Sequence, residues 1–267
     1  MMIAVTGRSV SLSYADRQIL HQVDLVVEQG AFLVIIGPNG TGKTSLLKAL
    51  AGLVPSTGEI EILGRPLSSY SRRELARQLA MVPQHPTGDF PFTVAETVLM
   101  GRSPHLAIFE LEGENDRNLA RQAMEFTDVA HLASRRLDEL SGGERQRVII
   151  GRAICQAPRL ILLDEPTASL DPAHQVRIMD LLERLRREQG MTVIMVSHDL
   201  NLAAMYGESL ALMNGGRITT MGTPAEVLTE AGLSACYGCR MEVLQIGLTR
   251  ALRVFPVPDE RPHINKT

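Results

Sequence analysis

Eight consecutive residues, Gly37-Pro38-Asn39-Gly40-Thr41-Gly42-Lys43-Thr44, have the composition of a phosphate cradle, and Ser45 carries them into an apolar-patterned segment. They stand directly after the apolar run Phe32 to Ile36, so the order is strand, glycine-rich turn, helix, which is the context a P-loop requires. Gly37, Gly40 and Gly42 let backbone N–H groups turn inward around phosphate oxygens with no Cβ in the way. The helix that follows turns the positive end of its dipole to the same anion. Lys43 brings a point charge to the β- and γ-phosphates, and the Thr44 hydroxyl can coordinate Mg2+. This is the chemistry of ATP binding.

Two further apolar runs end in residues that complete a reaction centre. Leu160 to Leu163 ends in Asp164-Glu165, and Thr192 to Val196 ends in Ser197-His198. Ligands of open α/β sheets bind outside the carboxyl ends of the strands, which is where all three runs present polar groups. Asp164 is placed to hold Mg2+ through water, and Glu165 is the candidate general base for the attacking water. His198 is placed to contact the γ-phosphate and orient that water.

A second glycine-containing turn, Leu140-Ser141-Gly142-Gly143-Glu144-Arg145-Gln146, opens another helix far downstream. Ser141 and Glu144 have capping-box spacing, so helix initiation explains part of it. Capping does not explain Gly142-Gly143, which are costly in a helix unless backbone must approach an anion closely. This turn lies in the wrong stretch of chain to complete its own phosphate loop. A second subunit's ATP is its natural occupant.

The elements that must position these groups are legible in outline. The three apolar runs read as parallel strands buried on both faces. Helices are expected over Lys43 to Ala51, Glu144 to Ile154 and Pro172 to Glu188, the last with proline in its first turn after Asp171. Val5 to Tyr14 and Val23 to Val27 read as an antiparallel lead-in joined around Ala15-Asp16-Arg17. Between Gln84 and Leu140 the pattern turns helical, with segments at Thr93 to Gly101 and Glu114 to Phe126 and prolines 83, 86 and 91 on entry. A hairpin is expected over Leu210 to Thr220 around Asn214-Gly215-Gly216, then short strands at Met241 to Ile246 and Ala251 to Val254, and a frayed polar tail from Pro256. The fold class is α/β: a P-loop NTPase core with a mainly parallel sheet, an antiparallel β lead-in and a helical subdomain. As a single domain over 1–267, it divides into a nucleotide-binding core (1–84 and 141–222), a helical subdomain (85–140) and a C-terminal extension (223–267).

Composition bounds the rest. With 267 residues, 45% of them hydrophobic, the chain has ample material for a core, and a net charge of −3 signals no nucleic-acid partner. No apolar stretch approaches the roughly 20 residues needed to span a bilayer, and the N-terminus lacks the apolar core of a signal peptide, so a cytoplasmic protein is expected. Three cysteines make no disulfide framework. Cys236 and Cys239 form a C-x-x-C pair without two further ligands at zinc-site spacing, and read as ordinary thiols between a helix and a strand.

Taken in order, Gly37–Ser45, Gln84, Leu140–Gln146, Leu160–Glu165, Ser169-Leu170-Asp171 and His198 resemble the Walker A, Q-loop, signature, Walker B, D-loop and switch histidine of ATP-binding-cassette (ABC) ATPases. The resemblance covers the chain to about Gly222. Thr41 stands where serine is common, and Thr44-Ser45 reverses the usual order of hydroxyl residues; both keep the hydroxyl chemistry. It implies that Gln84 links the γ-phosphate and Mg2+ to the helical insertion, that Tyr14 stacks on adenine, and that Ser141, Gly142, Gly143 and Glu144 bind ATP held by the other subunit. Met100-Gly101-Arg102-Ser103-Pro104-His105, His198 to Ala203, and Tyr237-Gly238 look like importers of iron–siderophore, haem and cobalamin. Such an importer implies a homodimer of ATPase subunits on the cytoplasmic face of the inner membrane, beneath two polytopic permease subunits fed by an extracytoplasmic binding protein. Arg102 is then expected in the groove that receives a permease helix. A soluble ABC ATPase without permeases is the competing reading, although no heptad run suggests a DNA-repair coiled coil and one cassette argues against a fused translation factor. An exporter ATPase is the third.

Overall fold

The computed structural model describes residues 2–84, 92–107, 109–247 and 251–258. Two long strands, β1 (Ile3–Tyr14) and β2 (Arg17–Glu28), pair antiparallel across a turn at Ala15-Asp16. Val23, Leu25 and Val27 are buried while the residues between them are exposed, the alternation of a sheet with one face on a core. The buried strand β3 (Phe32–Ile36) then delivers the phosphate loop to α1 (Lys43–Leu50). Next come β4 (Thr57–Ile62) and β5 (Arg65–Pro66), completing an antiparallel sheet of order β2-β1-β4-β5. Helix α2 (Arg72–Gln78), begun by a Ser71–Glu74 capping box, leads into β6 (Leu79–Val82). The sequence pattern anticipates none of β4, β5, α2 or β6.

Helix α3 (Val94–Leu99) tightens into a 3-10 stretch over Met100–His105, and α4 (Glu114–Phe126) follows. Then come α5 (Gly142–Cys155), β7 (Leu160–Asp164), α6 (Pro172–Gln189) and β8 (Thr192–Val196). After α7 (Leu200–Tyr206), the expected hairpin forms from β9 (Ser209–Asn214) and β10 (Arg217–Gly222). Helices α8 (Pro224–Val227) and α9 (Glu230–Tyr237) precede the paired strands β11 (Met241–Ile246) and β12 (Ala251–Pro256). Cys236 and Cys239 lie at this helix-to-strand junction as free thiols. Prolines 86 and 91 and most of the expected tail (259–267) lie outside the described residues.

The central sheet has the order β10-β9-β3-β8-β7-β6, parallel except at the β9–β10 edge. Its middle strands are buried throughout, and their side chains part onto two faces with the period of the pleat. Phe32, Val34, Ile36, Ile161, Leu163, Val193 and Met195 pack with α5, α6 and α7. Leu33, Ile35, Leu160, Leu162, Ile194 and Val196 face α1 and the antiparallel sheet. A third cluster joins Val94 and Val98 of α3 and Ala120, Ala123 and Met124 of α4 to Val148 and Cys155 of α5. Helix α5 turns Ile149, Ile150 and Ala153 to the central sheet, so it is the seam between sheet and helical insertion. Among the described residues, no helix is long and apolar enough to cross a membrane.

The expectation for Arg102 is corrected here. Its side chain is buried; Nε donates to Asp116 Oδ1 of α4 at 2.9 Å and Nη1 donates to the Cys155 carbonyl of α5 at 2.9 Å. The guanidinium ties the 3-10 stretch to α4 and to the end of α5, which leaves it almost no surface to offer a permease. The sequence hid this because the partner carboxylate lies fourteen residues away across a loop. Arg102→Met leaves the Asp116 carboxylate without its cation, and is expected to lower the unfolding free energy by about 3 kcal/mol. Urea denaturation measures this, and an unchanged midpoint would contradict the structural role.

Candidate nucleotide site

The phosphate loop is shaped by the sheet beneath it. Gly37, at φ 145°, has the Met213 carbonyl of β9 pressed against it, and a Cβ there would overlap that oxygen and lie 3.1 Å from its carbon. Only glycine lets the loop leave β3 at this point. Helix α1 begins at Gly42 with no side-chain cap and no acidic residue in its first turn, leaving its amides and dipole to an anion. Lys43 is 4% exposed, and its Nζ donates to the carbonyls of Gly37 and Pro38, both at 2.8 Å. Burial pushes its pKa down, opposed by the carboxylates of Glu165 and Asp164. Thr41 braces the loop from inside, its hydroxyl donating to the Pro38 carbonyl at 2.9 Å.

Asp164 sits at the end of β7, beside β3's helix rather than in a surface loop. It is buried and accepts a hydrogen bond from the Thr44 hydroxyl at 2.9 Å. Desolvation raises its pKa; the Thr44 bond works in the opposite direction, and neighbouring Glu165 adds to the rise. A hydroxyl and a carboxylate side by side at a phosphate loop are the hard oxygen donors that suit Mg2+, and the buried anion gains a countercharge when such an ion binds.

Glu165 follows with a positive φ of 49°, which turns its side chain away from the strand direction and toward the loop. Its two carboxylate oxygens have separate partners: Gln84 Nε2 donates to Oε2 at 2.6 Å, and His198 Nε2 lies 2.5 Å from Oε1. Gln84 arrives from the carboxyl side of β6, and His198 from that of β8. Four parallel strand ends therefore contribute, one more than the sequence pattern shows, because β6 is too short to announce itself.

These groups surround a cleft of about 290 Å³ lined by Asn39, Gly40, Gly42, Lys43, Thr44, Ser45, Glu165 and His198, closed on one side by Arg17 and Ile19 of β2. Arg17 and Ile19 belong to no motif, and the sequence offers no signal for them beyond their place after the Ala15-Asp16 turn. Tyr14 pairs with Arg17 across that turn and is half-exposed at the strand end, outside the cleft lining. Pro38 is outside the lining, and its carbonyl accepts from Lys43 Nζ and the Thr41 hydroxyl.

The downstream loop stands apart. None of Ser141, Gly142, Gly143 or Glu144 lines the cleft. Ser141 caps α5, and the Glu144 carboxylate turns back to accept from Ser141 N at 2.9 Å and Ser141 Oγ at 2.7 Å, which holds its pKa below the ordinary range. Within this chain Glu144 serves the start of the helix. Ser141 and Gly142 are exposed, so this helix start faces outward.

Residues 20–168 match the family model described as ABC transporter. The chain belongs to the ABC transporter family. Hemin import ATP-binding protein HmuV of Thermobifida fusca is 41% identical to this cassette over 96% of the chain and 89% of its own length. Achromobactin transport ATP-binding protein CbrD of Dickeya dadantii is 36% identical over 100% and 99%. Among solved structures, a chain of an inward-facing ABC transporter assigned to the metal-chelate type superposes with TM-score 0.85 at 31% identity, covering 97% of this chain and 98% of that one. A dimeric ATP-binding cassette bound to ADP and Pi after hydrolysis gives 0.72 at 29% identity, covering 82% and 98%. The cassette is an ATPase.

Asp164 supplies a test of the site that needs no nucleotide. Its folded pKa is raised, so the native state binds the proton more tightly than the unfolded chain. Its stabilising share is fully present below the ordinary carboxylate range and is lost as pH rises through the raised value. Asp164→Asn should therefore stabilise the nucleotide-free cassette at neutral pH by about 0.5–2 kcal/mol, while abolishing Mg2+-dependent hydrolysis. Thermal unfolding at two pH values checks it: the gain over the parent should shrink as pH falls.

Proposed function

We propose that this cassette is the ATP-hydrolysing subunit of an importer for metal chelates, of the iron–siderophore, haem or cobalamin kind. It works as a homodimer on the cytoplasmic face of the inner membrane, under polytopic permease subunits supplied by an extracytoplasmic binding protein. The observation that carries the mechanism is the division of one chain's motifs: the cradle, Glu165 and His198 line one cleft, with Asp164 bonded to Thr44 and Gln84 bonded to Glu165, while the Ser141 helix start is exposed and outside that lining. An outward anion-binding loop and a cleft open on one side are complementary in a two-fold pair. The near-complete overlap with the metal-chelate-type chain, and the hemin and achromobactin names of relatives, support the substrate class.

In this reading the amides from Gly40 to Thr44 and the Lys43 ammonium hold the β- and γ-phosphates, with Asn39, Thr41 and Ser45 around them. Thr44, Asp164 and Gln84 would hold Mg2+, which when bound neutralises phosphate charge and fixes the reacting oxygens. Tyr14, on the β1–β2 hairpin beside Arg17 and Ile19, takes the adenine. Glu165 accepts the proton of the attacking water. For that, one of its oxygens must turn from Gln84 or His198 to the water, so the two partners set which oxygen is presented. His198 then contacts the γ-phosphate. Gln84 stands where the chain leaves the sheet for the helical insertion, so a change at Glu165 reaches the region that meets the permease.

Glu165→Gln keeps the cradle and removes the base. ATP should still bind, and hydrolysis should slow by about 10²–10⁴-fold. With product formation blocked, MgATP should convert the protein from monomer to dimer on sizing chromatography; a variant that stays monomeric at high concentration argues against the paired site. Uptake of haem, a ferric siderophore and cobalamin by proteoliposomes holding the complete transporter tests the substrate class, and transport of none of them overturns it.

A further inference from the structure

The Ser141-Gly142-Gly143 turn, expected to reach a partner's nucleotide, and the Ser169-Leu170-Asp171 turn begin different helices, capped by Ser141 and Asp171 and so 30 residues apart in sequence. One side chain joins them. Asp171 caps α6, its Oδ1 accepting from His174 N at 2.9 Å, and its Oδ2 lies 2.7 Å from His174 Nδ1. The imidazole so held lies against Gly143, which is buried beneath it. A Cβ on Gly143 would overlap His174 Cδ2 and sit 2.8 Å from Cγ and 3.0 Å from Nε2. Beside it, Leu170 Cδ2 would lie 3.6 Å from a Cβ on Gly142. The next residue of α6, Gln175, donates to the Thr167 carbonyl at 3.4 Å, so the first turn of the helix also fastens the chain leading from Glu165.

Capping explains the Asp171 carboxylate but not the ring. A helix start needs only the Oδ1 bond to the His174 amide. The second oxygen fixes the imidazole in one orientation, and the face so presented fills the space that a side chain at position 143 would take. The absence of a Cβ at Gly143 thus has a cause inside the subunit, separate from any approach to phosphate. We propose that His174 is a positioning residue: its imidazole, tied to Asp171, is the surface on which the Ser141–Gly143 turn is set, so that this turn meets the partner's nucleotide as one body with the 169–171 turn behind it. The inference rests on the paired-site reading above. Displacing a positioning contact by about 1 Å can cost as much as 10²-fold in rate without touching the reacting atoms.

The test uses the full-length Glu165→Gln protein, where MgATP-driven dimerisation reads the fit of the outward loop directly. Adding His174→Ala should raise the protein concentration needed for dimerisation about 10- to 100-fold. Binding of a fluorescent ATP analogue, measured below the dimerisation range, should stay within about twofold, because the phosphate loop is untouched. A merely structural loss would move both. His174→Phe keeps a ring on Gly143 without the tie to Asp171, and should fall between the parent and His174→Ala; it also serves if the alanine variant does not fold. Gly143→Ala drives a methyl into the ring, and removing the ring relieves that collision. The Gly143→Ala, His174→Ala double variant should therefore dimerise better than Gly143→Ala alone. Dimerisation of His174→Ala at the parent's concentration, or losses that simply multiply in the double variant, overturns the proposal. If Glu165→Gln alone does not dimerise with MgATP, the paired site fails and this inference fails with it; if it dimerises and His174→Ala makes no difference, only the inference fails.

Discussion

An ammonium group buried to 4% exposure at the end of a parallel sheet is the constraint around which this protein is organised. Lys43 has two backbone carbonyls as direct partners and two carboxylates close enough to raise its pKa, yet desolvation still wins. Taking a charge out of water costs several kcal/mol even after such partners are supplied. Asp164 is in the mirrored position, buried and pushed toward its neutral form. Neither group helps the cassette to fold. Both are held in place by the strands β3 and β7, whose side chains are completely enclosed by two hydrophobic clusters. The positive φ of Glu165 adds strain on the order of 1–3 kcal/mol at the same point. A phosphate beside Lys43 and a cation beside Asp164 supply the countercharges that these two buried groups lack, so ligand binding offsets their desolvation.

The same economy governs the outward loop. Ser141 and Glu144 satisfy each other, Gly143 is filled by the His174 ring, and what remains to face outward is a helix start with small residues around it. Helix α5 carries that start and packs against both the central sheet and the α3–α4 layer. A displacement of the helical layer must therefore move the Ser141 turn. Gln84, at the other border of the insertion, holds one oxygen of Glu165. The two ends of the insertion thus touch the two halves of the chemistry.

Sequence alone carries much of this because phosphate loops and buried parallel strands leave dense signals. The run Phe32–Ile36 and its glycines could hardly be anything else, and β3, β8, α4 and β11 have the limits their patterns suggest. What escaped has physical causes. Strand β6 is four residues long and follows directly on α2, so neither period is established before it ends. Strand β4 does alternate, with Ile60 and Ile62 inward, but glutamates and a glycine mask it. Arg17 and Ile19 reach the cleft through the β1–β2 hairpin, a contact between distant parts of the chain that no local pattern encodes. Arg102 looked like a surface contact because its motif neighbours are polar; the carbonyl and carboxylate that bury it come from α5 and α4. For Glu144 the Ser-x-x-Glu spacing does announce the capping box that the structure shows.

The central claim is that a working site is assembled from the phosphate loop of one copy and the Ser141 loop of another. Lys43→Ala and Ser141→Arg proteins each carry two broken sites as homodimers. In a mixed dimer, the intact phosphate loop of the Ser141→Arg chain faces the intact Ser141 loop of the Lys43→Ala chain, and one whole site is restored. Single-turnover hydrolysis of MgATP by the mixture should show a burst that neither protein gives alone. If the mixture stays as inactive as its components, while wild-type chains mixed with either variant remain active, the two loops do not act across the pair and the account is wrong.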